Sequence, residues 1–285
     1  MNRRDAIRNT LTIGLSTAVF PAFKPLMVPN LRCKIGACDW SIGPAGDMNV
    51  FNVAKQIGLD GVQISLNTDA DHEHLRRADV QEAFKKAAQQ SGVAIGGLAI
   101  GLLNLIPYKS DPRTEQWVQD SVDVAKALGV KNVLLAFFSK NDLRNDPKGT
   151  QVVIDRLKAV APKAEKAGVV LGLESWLSAA ESIAILDAIG SPAIQVYYDV
   201  CNSSVMGYPI FEEIRTLGKS RICEVHLKEN NQLLGQGIVD LAKVRQALND
   251  INYAGWLHLE GAVPKEKSML ESYFENVKTV RSLFT

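Results

Sequence analysis

Residues 152–175 read VVIDRLKAVAPKAEKAGVVLGLES, and they hold one complete step of the architecture. Apolar residues recur at three- and four-residue spacing through 152–167, the period of a helix with one buried face. Gly168 follows, where a helix can end in the left-handed conformation that other side chains resist. The apolar run VVLGL comes next and closes on Glu174. Helix, glycine stop and short buried strand form the repeating unit of a parallel β/α fold.

The same step recurs on both sides. Apolar runs begin near Ile35, Val62, Ala94, Asn132, Val169, Ile194, Ile222 and Gly255. Their interval of about 31 residues matches one strand, one crossover helix and their loops. Helical patterns fill the gaps, among them VQEAFKKAAQQ, EQWVQDSVDVAKAL and DLAKVRQALND, and Gly58, Gly92, Gly129 and Gly190 mark further stops. Eight strands alternating with helices predict an α/β chain with one domain, a (β/α)₈ TIM barrel over residues 34–284. An open doubly wound sheet is the alternative, but no GxGxxG follows the first run, so its usual cofactor signature is missing. No Pro/Ser-rich linker divides the chain.

Composition narrows the function. The 285 residues are 46% hydrophobic and 22% charged, enough for a sizeable core. Lys plus Arg number 32 against 31 Asp plus Glu, which argues against a nucleic-acid groove. The four cysteines, Cys33, Cys38, Cys201 and Cys223, show no CxxC spacing and read as buried free thiols. The N-terminus differs from the rest: Arg3 and Arg4 precede the uncharged run TLTIGLSTAVF at 10–20. A positive segment before a short apolar run is the layout of an export signal, and NRRDAI resembles a twin-arginine signal. Residues 1–27 are therefore expected to be such a segment and the mature protein periplasmic. The run is too short for stable membrane insertion.

In a barrel of this kind the chemistry lies at the C-terminal ends of the strands. Strand 5 ends in Glu174, strand 6 (IQVYY) in Asp199, strand 7 (ICEV) reaches His226, and strand 8 (GWLHL) ends in Glu260. Side chains alternate along a strand. Cys223, Val225 and Leu227 then face the helices, and Glu224, His226 and Lys228 face inward. On strand 8 the inward set is Trp256, His258 and Glu260; on strand 6 it is Gln195, Tyr197 and Asp199. Carboxylates gathered beside one another repel, and a cation relieves the repulsion. Three carboxylates and one imidazole without thiolate favour one divalent ion: Mn²⁺ is the leading choice, with Mg²⁺, Co²⁺ and Zn²⁺ as alternatives.

With these residues in place, the chain resembles the xylose-isomerase-like sugar isomerase/epimerase barrels, which include ketose 3-epimerases, hydroxypyruvate isomerase and inosose dehydratase. The resemblance spans about 34–284. It rests on LGLES at 171–175, YYDVCN at 197–202, EVHLKEN at 224–230, LGQGIVD at 234–240 and LHLEG at 257–261. It implies that Glu174, Asp199, His226 and Glu260 bind one divalent metal, that Glu174 and Glu260 are also the catalytic carboxylates, and that Lys228 contacts substrate. Two departures bear on the substrate. Asn202 stands where epimerases of this family often carry histidine, and strand 2 has Gln63, in GVQIS, where an acid is frequent.

The expected reaction is epimerisation or 1,2-isomerisation of a keto-sugar or related polyol. A metal-polarised carbonyl acidifies the neighbouring C–H, and two carboxylates remove and return the proton. Loss of a group from the β-carbon would make the same start an elimination. A lyase or hydratase of keto-sugars or 3-ketoglycosides is therefore the alternative, and a non-catalytic sugar-binding barrel is the reading from another class. A multi-zinc repair nuclease of the same superfamily would need more than the four histidines present. The expected partner is a small sugar, with no nucleic acid; homo-oligomer formation is left open. Trp40, Trp176 and Tyr108 follow strands 1, 5 and 3, where an aromatic stacks on sugar or simply packs. Asn104 and Lys109, in LLNLIPYKS, are candidates for the pocket. His72 and His74, in DADHEHL, read as solvated loop residues, and His258 as a satisfied core residue below Glu260. Replacing Arg3 and Arg4 together by lysine should retain the protein in the cytoplasm; unchanged fractionation would rule out the twin-arginine route.

Overall fold

The computed structural model describes residues 33–68 and 72–285; the expected signal segment, 1–27, lies outside the described residues. Eight strands form a closed, all-parallel barrel in chain order: β1 (Lys34–Cys38), β2 (Gly61–Ser65), β3 (Ala94–Ile100), β4 (Asn132–Phe137), β5 (Val170–Ser175), β6 (Ile194–Asp199), β7 (Ile222–Glu229) and β8 (Trp256–Gly261). β1 pairs with β8 from Lys34↔Trp256 to Ala37↔Leu259, which completes the ring.

The outer layer comprises α1 (Asp39–Ile42), α2 (Val50–Ile57), α3 (Ala78–Ser91), α4 (Arg113–Leu128), α5 (Pro147–Ala167), α6 (Ala179–Ile189), α7 (Val200–Val205), α8 (Ile210–Leu217), α9 (Leu241–Asp250) and α10 (Met269–Phe284). The stretch 152–175 behaves as its pattern dictates: α5 stops at Gly168, whose φ is 70°, and β5 follows directly. The main core lies between sheet and helices, and a small second cluster, Ala99, Leu134, Ala136 and Tyr197, fills the barrel itself. All four cysteines are free. Among the described residues no helix is long and apolar enough to cross a membrane.

The lower barrel interior shows why particular strands carry glycine. Trp256 and His258 project inward from β8 and stack on each other, with ring centroids 5.3 Å apart. Gly36, Gly61 and Gly96 leave the volume these rings occupy. His258 differs from expectation: it is fully buried, but neither ring nitrogen makes a hydrogen bond. Nε2 instead lies 3.5 Å from the buried carboxylate of Glu224.

Cys223 also departs from the alternation. A register shift between Val196 and Tyr197 takes the pairing from Val196↔Ile222 to Tyr197↔Glu224. Cys223 is thus an extra residue on β7, and its sulfur sits 2.5 Å from where Gly172 would carry a Cβ. A bulge of this kind resets the strand's phase, so Glu224, His226 and Lys228 still face inward although Cys223 does not face the helices. Gly36→Ala should destabilise the fold by about 1–3 kcal/mol through overpacking, because its methyl would fall on the His258 ring; thermal melting measures the loss.

Candidate functional site

The C-terminal strand ends surround a cavity of about 470 Å³. Glu174, Asp199, His226 and Glu260 meet there, with one donor atom from each within 4.8 Å of all the others. His226 Nδ1 lies 3.0 Å from Glu174 Oε1, 3.5 Å from Glu260 Oε2 and 3.8 Å from Asp199 Oδ2. Strand pairing sets this convergence: Asp199 stands beside His226, and Lys228 beside Glu260.

The surroundings orient each group. Asp199 Oδ1 accepts the N–H groups of Cys201 and Asn202 at 2.8 and 2.7 Å, opening α7. Its Oδ2 is buried and makes no hydrogen bond. Glu260 Oε1 accepts the Trp40 Nε1–H at 2.9 Å, and its Oε2 lies 2.9 Å from Lys228 Nζ. Beneath the imidazole, Gln63 Nε2–H donates to the Tyr197 hydroxyl at 3.0 Å, which turns Gln63 Oε1 toward His226 Nε2, also at 3.0 Å. An amide oxygen only accepts, so Nε2 carries a hydrogen and Nδ1 is the ring atom offered to a metal. This is the usual way an outer partner selects the ligating tautomer.

Burial raises Asp199 to about 7, with Lys228 opposing and Glu174 and Glu260 reinforcing the rise. Burial alone would also raise Glu260, but His226 and Lys228 outweigh it and hold that carboxyl down at about 2. His226 sits well above its ordinary value: burial pulls it down, and Cys38 and Glu174 more than offset that. Cys38 is itself pushed up to about 12, chiefly by burial, so at neutral pH it is a thiol. Lys228 is also raised, because Glu260 and Asp199 outweigh its burial.

A divalent ion fits this donor set. A buried carboxylate oxygen without a hydrogen bond faces the cluster, the outward imidazole nitrogen is positioned, and oxygen donors predominate.

The other candidates separate clearly. Trp40, Trp176, Asn104, Asn202 and Lys228 all line the cavity. Trp176 is held by the edge of Phe138 at 5.1 Å, by the Arg144 guanidinium at 4.6 Å, and by the Tyr208 hydroxyl donating to its carbonyl. Asn104 Oδ1 accepts the Phe138 N–H at 2.9 Å. Lys109 does not reach the cavity: its ammonium donates to the Asp142 carbonyl at 2.6 Å and pairs with Asp146 at 2.8 Å, which ties its loop to the start of α5. Tyr108 is buried against Phe137. His72 is exposed and lies tilted against Trp117; His74 is half-buried against Phe84. The sequence reading missed the bracing roles of Gln63 and Arg144, and the cavity residues Phe138, Ser65 and Asn67. Inward phase in the middle of β2 was the available signal for Gln63; nothing local marks the others.

Residues 51–280 match the family model described as xylose isomerase-like TIM barrel. The chain is similar to a 2-epi-5-epi-valiolone 7-phosphate 2-epimerase from Actinoplanes sp., 26% identical over 173 residues, which are 60% of this chain and 63% of that one. The chain thus spans under two thirds of this relative's length. Among solved structures it resembles a D-allulose 3-epimerase from Methylomonas sp. in complex with D-allulose, with TM-score 0.74 and 17% identity over 90% of this chain and 98% of that one. A 3-keto-D-glucoside 4-epimerase from E. coli gives TM-score 0.74 and 17% identity over 88% and 99%. These structures share the fold.

The charge pattern predicts how metal binding depends on pH. The metal-free cluster holds protons on His226 and, below about pH 7, on Asp199, and an incoming ion must displace them. Mn²⁺ affinity should therefore fall as pH drops from 8 to 6, by roughly tenfold per unit for each proton released. Calorimetric titration in buffers of different ionisation enthalpy counts those protons.

Proposed function

The chain belongs to the xylose isomerase-like TIM barrel family, and on that premise we propose that it is a divalent-metal-dependent epimerase of unphosphorylated keto-sugars. The observation that carries the reading is the placement of two carboxylates, Glu174 on β5 and Glu260 on β8, on opposite sides of β7 and both lining one cavity. A divalent ion held by Glu174, Asp199, His226 and Glu260 would supply Lewis-acid polarisation of a sugar carbonyl. The chain's own groups do the rest. Glu260 is kept ionised and oriented by Trp40 and Lys228, as a base next to a C–H requires. Glu174 approaches from the other flank. One carboxylate takes the proton from the carbon beside the carbonyl and the other returns one to the opposite face, which inverts that centre.

The cavity wall supports an unphosphorylated substrate. Among the described lining residues Lys228 is the one cation, and Glu260 engages it. A phosphate is normally gripped by unengaged Arg or Lys, or by backbone amides. The named Actinoplanes relative acts on a 7-phosphate; this wall instead offers Trp40, Trp176, Phe138 and Leu105, surfaces suited to the apolar face of a sugar. Export through Arg3 and Arg4 belongs to the same reading, since the periplasm suits free or oxidised sugars better than phosphorylated metabolites. Elimination or hydration of a keto-sugar or 3-ketoglycoside is the second reading, because it begins with the same proton abstraction, and a periplasmic location suits such substrates.

Glu174→Gln and Glu260→Gln keep shape and remove the base. With Mn²⁺ content verified by elemental analysis, each should lower turnover by roughly 10²–10⁴. Proton NMR in deuterated water on a panel of keto-sugars and 3-ketoglycosides reads both exchange and product. Near wild-type turnover by either metal-loaded variant would refute the two-carboxylate assignment, and an unsaturated product from the wild type would replace epimerisation by elimination.

A further inference from the structure

The cavity wall contributed by β2 holds a polar side chain that nothing among the described residues satisfies. Asn67 follows β2 by two residues, is 5% exposed, and lines the same cavity as Glu174, Glu260 and Lys228. Among the described residues neither its Oδ1 nor its Nδ2 has a hydrogen-bond partner. A carboxamide withdrawn from water is costly unless both ends are paired, and buried polar groups are paired almost everywhere. An unpaired one in the wall of a binding cavity points to a ligand group that pairs it.

The backbone leading to Asn67 is held on both sides. The buried Asp39 carboxylate accepts the Ser65 N–H and the Ser65 hydroxyl, both at 2.8 Å, and the Gly46 N–H at 3.0 Å. Leu66 N–H donates to the Ala99 carbonyl at 2.8 Å, and its own carbonyl accepts Leu75 N–H at 2.9 Å. In a ring of eight strands β2 stands opposite β6, within the arc β5–β8 that carries the proposed metal ligands. A sugar anchored on that arc and reaching across the mouth meets Asn67 with its far end.

We propose that Asn67 is a specificity-determining residue whose carboxamide binds two neighbouring hydroxyls at the metal-remote end of a neutral keto-sugar. This rests on the epimerase reading above. A carboxamide presents an acceptor and donors in one plane: one hydroxyl donates to Oδ1 and its neighbour accepts from Nδ2–H. That match reads the configuration of a vicinal diol, whereas an anionic terminus would use the Nδ2–H donors alone and leave Oδ1 facing a like partial charge with no cation beside it.

The test uses the full Mn²⁺-loaded protein and calorimetric titration with D-fructose, D-tagatose and L-sorbose, which differ in configuration at C4 or C5. The wild type should rank the three. Asn67→Leu and Asn67→Ala should weaken the tightest by about tenfold or more, the worth of about one to two net hydrogen bonds, and bring the three within about threefold of one another. Asn67→Asp, which keeps the acceptors and loses the donors, should fall between. Mn²⁺ affinity should be unchanged in all three variants, which separates substrate reading from damage to the fold. Wild-type affinity and ranking in Asn67→Leu would overturn the assignment, as would a wild type that binds none of the three ketohexoses. If the wild type binds and ranks them, Asn67→Leu loses the ranking, and no C–H exchange occurs in deuterated water, the epimerase reading falls while Asn67 keeps its role.

Discussion

Three carboxylates packed around one buried imidazole repel one another, and the upper half of the barrel is built around relieving that repulsion. Lys228 meets Glu260 and approaches Asp199. The first amides of α7 take one oxygen of Asp199, and a proton on His226 is held by Glu174. These contacts leave Asp199 Oδ2 without a hydrogen bond. Burial that would be a liability elsewhere suits this donor set to a divalent ion, because water does not compete for the same donors.

Support for this cluster comes from below and from the sides. Gln63, Tyr197 and Cys38 form the floor under His226, so the imidazole's angle is set by a chain of hydrogen bonds crossing the barrel from β2 to β6. Lower still, the interior changes character. Trp256 and His258 fill space vacated by glycines, and Glu224 receives the Asn132 amide at 2.8 Å. The packed floor and the charged mouth follow the common division of such barrels, with stability at one end of the strands and chemistry at the other.

The cavity has braced walls. Its aromatic side is rigid: Phe138, Arg144 and Tyr208 clamp Trp176, and Trp40 is fixed by Glu260. The β7–α9 loop is shaped the same way. Glu229 accepts the N–H groups of Ile238 and Val239 at 3.2 and 2.8 Å, and Gly237 within LGQGIVD leaves room for that carboxylate. Walls held this firmly favour recognition by shape and by a few polar groups over recognition by charge.

The repeat of apolar run, helix and glycine stop was enough to predict a closed barrel, because strand and helix periods and the left-handed stop are local properties of the chain. Glu174, Asp199, His226 and Glu260 were legible for a related reason: each ends or lies on a strand, and a two-residue period combined with the barrel's topology sends them to one mouth. Residues whose role depends on another strand were not. Gln63 acts on a histidine 163 positions away, and Asn67 is notable only because no described side chain pairs with it. Lys109 has the composition of a pocket residue, and the loop's path delivers it to Asp146 instead. Cys223 left the expected face because a bulge, set by pairing between strands, broke the alternation. Periodicity is written along the chain, whereas the partners of a buried polar group are chosen only when distant strands come into register.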